Sequence, residues 1–428
     1  MLPSRRTRWV LLFAAFFVPA SLIAAKPKPP AGDAVETGIW RLAGIAPGSP
    51  SADLEPLKQL IGKATVVGLG ESIHTSGGYY VSKHRVFRYL VEKAGFRALG
   101  FQSSWAAADR VAAYVKTCQG SPEDALLGFD GVWQSAEVRD LIVWMCDWNR
   151  SHKKAKDKLT LFGFDVQQPE VDGPALIAFL RRLGVGEEDP LIAGTERCNG
   201  VGEPPVPLGN PVPAEDNAAC MESLDAIAQK FGREAKQIIK KTSKKDFEGA
   251  KVALAGLRGN QGYSFFVRSN PPLADELRDG AMATVLRSMQ TLRLPKKTKL
   301  AVWAHNFHLS KAPLPGPQGD TRTMGTFLTE ALGSGFFVAG FIGWDVSVDA
   351  GPTLCGVTNL AGAASLESRL HGLGELYLLV DPKVGSSVLA PGTPLQVSGS
   401  VIDARNHYDA LVFLDESARM IPLHRPPC

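Results

Sequence analysis

Val66-Val-Gly-Leu-Gly-Glu71-Ser-Ile-His74-Thr-Ser-Gly-Gly-Tyr-Tyr-Val-Ser-Lys83-His-Arg-Val-Phe-Arg-Tyr-Leu90 is the stretch whose reading decides the fold. Thr65 to Leu69 is a short apolar run with β-branched residues, bounded by glycine, the pattern of a strand buried on both faces. From Tyr80 onward the apolar residues recur at 80, 87, 90, 91 and 94, which is helical spacing. The turn between strand and helix carries a carboxylate, Glu71, and an imidazole, His74, three residues apart. In an open α/β sheet, ligands collect at the carboxyl ends of the strands, where loops and helix N-termini converge. An ionised Glu71 there fixes one tautomer of His74 and raises its basicity, leaving the other ring nitrogen to take a proton from water. The plainer alternative is a glycine-rich turn with a solvated acid and a surface histidine.

Working outward, Arg97 to Phe101 reads as a second buried strand ending at Gln102, and Leu159 to Phe164 as a third ending at Asp165. Lys299 to Ala304 runs into His305-Asn306-Phe307-His308, and Phe336 to Ile342, Glu375 to Val380 and Asp409 to Leu414 complete the set. Helical patterns lie between these runs, so the expected fold is α/β, a mainly parallel sheet flanked by helices on both faces. From residue 171 to 294 strand character is lost. Helices are expected near Pro174 to Leu183, Asn217 to Phe231, Glu234 to Leu257 and Leu273 to Leu292, with a Pro/Gly loop from Gly186 to Pro213. This region reads as a helical insertion able to cover a site, set between core parts 49–170 and 295–428.

The chain has 428 residues, 45% hydrophobic and 21% charged, as ordinary soluble globular proteins have. A formal net charge of +4, with scattered basic residues, gives no nucleic-acid surface. In residues 1–25, Arg5, Arg6 and Arg8 precede an apolar run from Trp9 to Val18 and small residues at Ala24 and Ala25, the order of a secretory signal peptide. An exported protein, periplasmic or secreted and without a stable membrane span after cleavage, is the expectation, with residues 26–48 as a Pro/Gly/Ala-rich linker. Export permits disulfides among Cys118, Cys146, Cys198, Cys220, Cys355 and Cys428. Cys198 with Cys220 is the first expected pair, since both border one loop; free buried thiols are the alternative for the other four.

If the strands are parallel neighbours, their ends bring together Glu71, His74, Gln102, Asp165, His305, Asn306 and His308. Lys83 shares a helix face with Phe87 and Leu90, and a cation there needs a partner or a ligand. There is no Gly-x-Ser-x-Gly, His-Glu-x-x-His or Gly-x-x-x-x-Gly-Lys motif. Water activated by histidine is therefore the economical mechanism, with no cofactor and no metal. Glu71, His74 and His305 as ligands of a divalent metal form a further alternative.

The same residues resemble the erythromycin esterase family, from about Asp53 to Leu423. The matching segments are Val66-Val-Gly-Leu-Gly-Glu71-Ser-Ile-His74, Gly95-Phe-Arg-Ala-Leu, Trp133 with Glu137, Trp144-Met145 through Trp148-Asn149 and Phe162-Gly-Phe-Asp165. Arg278-Asp279 with Met282, Val302-Trp-Ala-His305-Asn306 with His308, Met324-Gly325 and Tyr408-Asp409-Ala410 continue the match. The resemblance implies hydrolysis of a carboxylic ester or lactone, a small-molecule substrate, His74 as general base and Glu71 as its support. His305 joins them as a catalytic residue, and Lys83, His308, Gln102, Asp165 and Asn306 are candidates for substrate binding or charge stabilisation. Two departures stand out: Gln102 replaces a family glutamate, and Gly78 replaces an acidic residue. A binding protein of the same fold that has lost turnover is the corresponding alternative.

Overall fold

The computed structural model describes residues 33–201, 212–351, 355–358, 362–384 and 388–428. The expected signal peptide, residues 1–25, lies outside these residues. In chain order the strands are β1 (Ala34–Glu36), β2 (Ile39–Arg41), β3 (Val66–Leu69), β4 (Phe96–Ser104), β5 (Thr160–Asp165) and β6 (Lys299–Trp303). They continue as β7 (Phe336–Asp349), β8 (Cys355–Thr358), β9 (Tyr377–Val380), β10 (Pro394–Val397), β11 (Ser400–Asp403) and β12 (Ala410–Ser417). The helices are α1 (Glu55–Ile61), α2 (Gly77–Ala94), α3 (Trp105–Thr117), α4 (Pro122–Leu126), α5 (Ala136–Ser151), α6 (Pro169–Arg182) and α7 (Pro190–Glu196). After them come α8 (Ala214–Lys241), α9 (Lys244–Phe266), α10 (Pro271–Arg293), α11 (Asn306–Leu309), α12 (Met324–Leu332), α13 (Leu366–His371) and α14 (Ala404–His407).

A ten-stranded sheet runs in the order β1-β2-β9-β12-β7-β3-β6-β4-β5, with β8 paired to β7, and β10 and β11 form a separate hairpin. From β12 to β5 every neighbouring pair is parallel, whereas β9, β2, β1 and β8 add antiparallel edges. The fold is thus the expected α/β arrangement. β3 sits between β7 and β6, Val66 facing Phe336 on one side and Leu300 on the other.

Alternation along these buried strands divides the core between two faces. Val67, Leu69, Phe101 and Trp303 pack with Phe87 of α2, Val111 of α3 and Leu141 of α5. Val66, Leu300, Val302 and Phe336 pack with Met282 and Leu286 of α10 and Leu328 of α12. Helices α6 to α9 have an apolar cluster of their own, including Leu176, Leu224, Phe231 and Leu257. The helix α10, expected as part of the insertion, contributes directly to the sheet's core.

Three local expectations differ. Within the stretch expected as a linker, β1 and β2 form a hairpin whose Ile39 is fully buried and pairs with Val380 of β9. Strands three residues long borrow their register from the edge they join, so composition hides them. The break expected between Phe231 and Glu234 does not occur, since α8 runs unbroken through Gly232; a mid-helix glycine costs only about 1 kcal/mol, which packing overrides. Lastly, the alternative of free thiols is overturned. Cys198–Cys220 forms as expected, and Cys118–Cys146 and Cys355–Cys428 pair as well. Three disulfides suit an oxidising compartment. Among the described residues no helix is long and apolar enough to cross a membrane.

Candidate active site

At the end of β3 the chain turns into α2, and the Glu71 carboxylate is buried in that turn. Its Oε1 lies 2.9 Å from His74 Nδ1, and its Oε2 accepts from the ammonium of Lys83. Nδ1 therefore carries the proton donated to Glu71, and Nε2 is left as the acceptor nitrogen of the neutral ring. The His74 side chain is 30% exposed, so the ring reaches solvent while its carboxylate partner does not. Its ring stands edge-on to Trp133 at 4.8 Å and to His305 at 4.9 Å.

Lys83 is wholly buried, with Nζ 4.1 Å from the centre of the Trp303 ring and 3.4 Å from Ala304 O. Burial pushes its ammonium down to about 8, against the opposing pull of Glu71. It therefore pairs with Glu71, the partner that a cation on this apolar helix face requires. A cation is required because an unpaired carboxylate at this depth is costly.

Thr75, immediately after His74, has φ +67, a left-handed backbone that a β-branched residue rarely adopts. Such a conformation costs on the order of 1–3 kcal/mol and persists only when its surroundings hold it. Its N–H donates to Tyr80 Oη at 2.8 Å, and its carbonyl accepts from Met420 N at 3.0 Å and Asp349 N at 3.3 Å. No residue pattern in the turn signals this.

The loop after β6 brings the His305 ring beside His74 and the His308 ring beyond it, while Asn306 bonds away toward β7. His305 Nε2 donates to Ser72 O at 2.9 Å, and Nδ1 accepts from Phe307 N at 3.0 Å. Both ring nitrogens are thus held in the neutral form. Burial first, then the charges of His74 and His308, keep the ring well below the ordinary imidazole range. Asn306 Nδ2 donates to Phe341 O at 2.9 Å and its backbone N–H to Glu71 O at 2.8 Å, so it pins β3 and β7 together at their ends. Gln102 Oε1 accepts the His305 backbone N–H at 2.8 Å, an acceptor role that a glutamate would also fill.

His308 forms a second pair, Nδ1 lying 2.7 Å from Asp279 Oδ1 of α10, and Asp279 Oδ2 accepts Met324 N–H at 2.8 Å from the start of α12. The His305 and His308 rings are 6.5 Å apart. Asp165 meets Arg278 through two hydrogen bonds, at 2.7 and 3.2 Å. Burial acts to raise the Asp165 carboxyl, but the Arg278 charge and hydrogen bonds outweigh it and hold it below the usual range. Asp279 and Arg278 were legible only as matched residues, because nothing local links α10 to the loop after β6. The donors suggested for a metal are otherwise engaged, Glu71 by Lys83 and His74 and His305 by the backbone. Among the described residues no three metal-ligating side chains converge.

With this geometry in hand, comparison with known proteins is decisive. The model of the family described as erythromycin esterase matches residues 91–417. The chain belongs to the erythromycin esterase family. Among curated relatives, YbfO of Bacillus subtilis (strain 168), which carries the provisional name of a hydrolase, is 23% identical over 380 residues, 78% of each chain. Erythromycin esterase type II of Escherichia coli is 26% identical over 114 residues, 27% of this chain and 26% of that one. A crystal structure of a Bacillus cereus protein superposes with a TM-score of 0.71 at 21% identity, covering 91% of this chain and 97% of that one. A mutant of erythromycin esterase EreC in its open conformation gives 0.69 at 17% identity, covering 88% and 96%. At these identities the solved structures speak for the shared fold.

For an erythromycin esterase family member, the glycine at 78 has a local cause. A Cβ there would stand 2.4 Å from Ser417 Oγ and 3.0 Å from Ser417 Cα, at the end of β12. No acidic side chain fits.

Proposed function

We propose that the protein is an exported hydrolase that cleaves a carboxylic ester or lactone of a small molecule with water activated by His74. The observation that carries this is one imidazole, held at Nδ1 by a buried carboxylate, with no partner at Nε2 among the described residues, and lined up with the rings of His305 and His308. In this reading Nε2 of His74 takes a proton from water as the oxygen attacks the carbonyl carbon. Glu71 stabilises the imidazolium, and His74 returns the proton to the departing alkoxide. His308, backed by Asp279, is the donor closest in character to an oxyanion partner, and the Gln102 amide nitrogen is a second. His305 acts as a positioning wall, since both its nitrogens are engaged.

Turnover of a panel of chromogenic esters and lactones by wild type and His74→Ala tests this: activity confined to the wild type supports it, and equal rates remove His74 as the base. A second reading, a binding protein without turnover, rests on Gln102 standing where the family has glutamate. Turnover gained only in Gln102→Glu would favour that reading.

A further inference from the structure

The C-terminal segment after β12 crosses the face of the molecule that carries the His74 turn. Ser76 Oγ bonds Ser417 Oγ at 2.7 Å, Gly78 N donates to Ala418 O at 3.0 Å, and Met420 N donates to Thr75 O at 3.0 Å. The segment then staples the approach to α5: Ala136 N donates to Ile421 O at 2.8 Å, and Leu423 N to Gln134 O at 3.0 Å. Trp133, whose ring flanks His74, immediately precedes that staple. One strap thus fastens the turn that carries the imidazole and the segment that follows Trp133. It can lie this close only because Gly77 and Gly78 lack side chains; a Cβ on Gly77 would stand 2.8 Å from Arg419 O and 3.0 Å from Met420 Cα.

The far end of the strap is anchored at the end of β7. The fully buried Asp349 pairs with Arg425 at 2.6 Å and accepts the Cys428 N–H at 2.9 Å, while its own N–H reaches Thr75 O at 3.3 Å. Cys428 is bonded to Cys355, which faces Asp349 across the β7–β8 ladder. The same short stretch of β7 therefore holds the strap and the carbonyl of the residue after His74.

We infer that the strap 418–428, fastened by Asp349 and the Cys355–Cys428 disulfide, is a positioning element for the reaction: it keeps Thr75 left-handed and so aims His74 at Glu71 and the substrate. The inference rests on His74 being the base. It predicts a loss that falls on the chemical step, because the strap's hydrogen bonds go to the backbone of the His74 turn and of the segment after Trp133. It also predicts that the loss is repaired at Thr75, since asparagine tolerates a left-handed backbone better than a β-branched residue does.

The test compares the full-length protein with Cys355→Ser/Cys428→Ser and, as a milder release that keeps the disulfide, Arg425→Gln. Two readouts are taken: amide hydrogen exchange over residues 72–78 and 133–137, and kcat and KM on an ester turned over by wild type. The expected result is faster exchange in both segments, kcat lowered about tenfold in the double variant and less in Arg425→Gln, and KM nearly unchanged. Thr75→Asn added to the double variant restores kcat toward wild type. Unchanged exchange in Arg425→Gln and in the double variant overturns the inference, as does faster exchange with wild-type kcat. If His74→Ala is as active as wild type, the reading of the base fails instead, and exchange alone decides whether the strap holds the turn.

Discussion

Glu71–His74 and Asp279–His308 are built from the same residue types at nearly the same distance, 2.9 and 2.7 Å, yet they are placed differently. The first spans three residues of one turn, has a buried lysine to balance its carboxylate, and leaves its ring 30% exposed. The second joins residues 29 apart, on α10 and after β6; its carboxylate is braced by the amide that opens α12, and its ring is 8% exposed. A carboxylate already neutralised by lysine steadies an imidazolium only when one forms, which suits a base that cycles. The Asp279 carboxylate holds its histidine and an amide, with the Arg278 charge nearby. The difference teaches that the same acid–imidazole pair can stand over a buried lysine with its ring partly exposed or be braced by an amide in the interior, and the proposed roles of base and charge stabiliser follow that placement.

The largest effect that separates the two is expected at His74. His74→Ala should lower kcat/KM for an ester substrate about a thousandfold, within the range of general-base catalysis; a comparable loss in His308→Ala and none in His74→Ala would reverse the assignment. Next comes the lysine behind the first pair. Lys83→Met should destabilise the fold by about 3 kcal/mol or more in denaturant melts, because it strands a buried carboxylate, and adding Glu71→Gln should recover much of that loss. Breaking the second pair by Asp279→Asn keeps an acceptor for Met324 N–H and should reduce kcat about a hundredfold with little change in stability. A fall in KM affinity alone would argue that His308 binds substrate without stabilising charge.

The last effect, spread over several pH units, concerns a buried carboxyl that pairs with no cation among the described residues. Among the described residues the Asp172 carboxyl of α6 accepts from the Trp105 indole alone, at 2.6 Å, and burial pushes it up to about 8. Its raised folded value means that the folded protein holds a proton the unfolded chain has released. That stabilisation is complete below pH 4 or so and fades as pH rises through about 8. Asp172→Asn should flatten this slope, at most about 1.4 kcal/mol per pH unit, in melts taken from pH 4 to pH 9; parallel curves for variant and wild type would remove Asp172 as its source.

Legibility followed distance along the chain. The strand ends that carry Glu71, Gln102, Asp165 and His305 were readable because each closes an apolar run that only a buried strand explains. The disulfide Cys198–Cys220 was readable because one loop needs closing, whereas Cys355–Cys428 spans 73 residues. The cavity of about 670 Å³ between α8, α9, α10 and Phe327 of α12 left no sequence signal, and it lies apart from the histidines. The β1–β2 hairpin escaped notice because strands that short take their identity from β9.

By itself the order of residues determined the layered α/β architecture, the family, and the set of polar side chains that cap the central strands, since apolar periodicity and glycine-bounded turns are local properties. Tertiary structure alone decided which histidine nitrogens are engaged, that Lys83 pairs with Glu71, and that a tail more than 340 residues away bonds the turn after His74. The physical reason is that charge balance, tautomer and backbone strain are set by whatever fills the neighbouring few ångströms, and those neighbours arrive from parts of the chain that no local pattern connects.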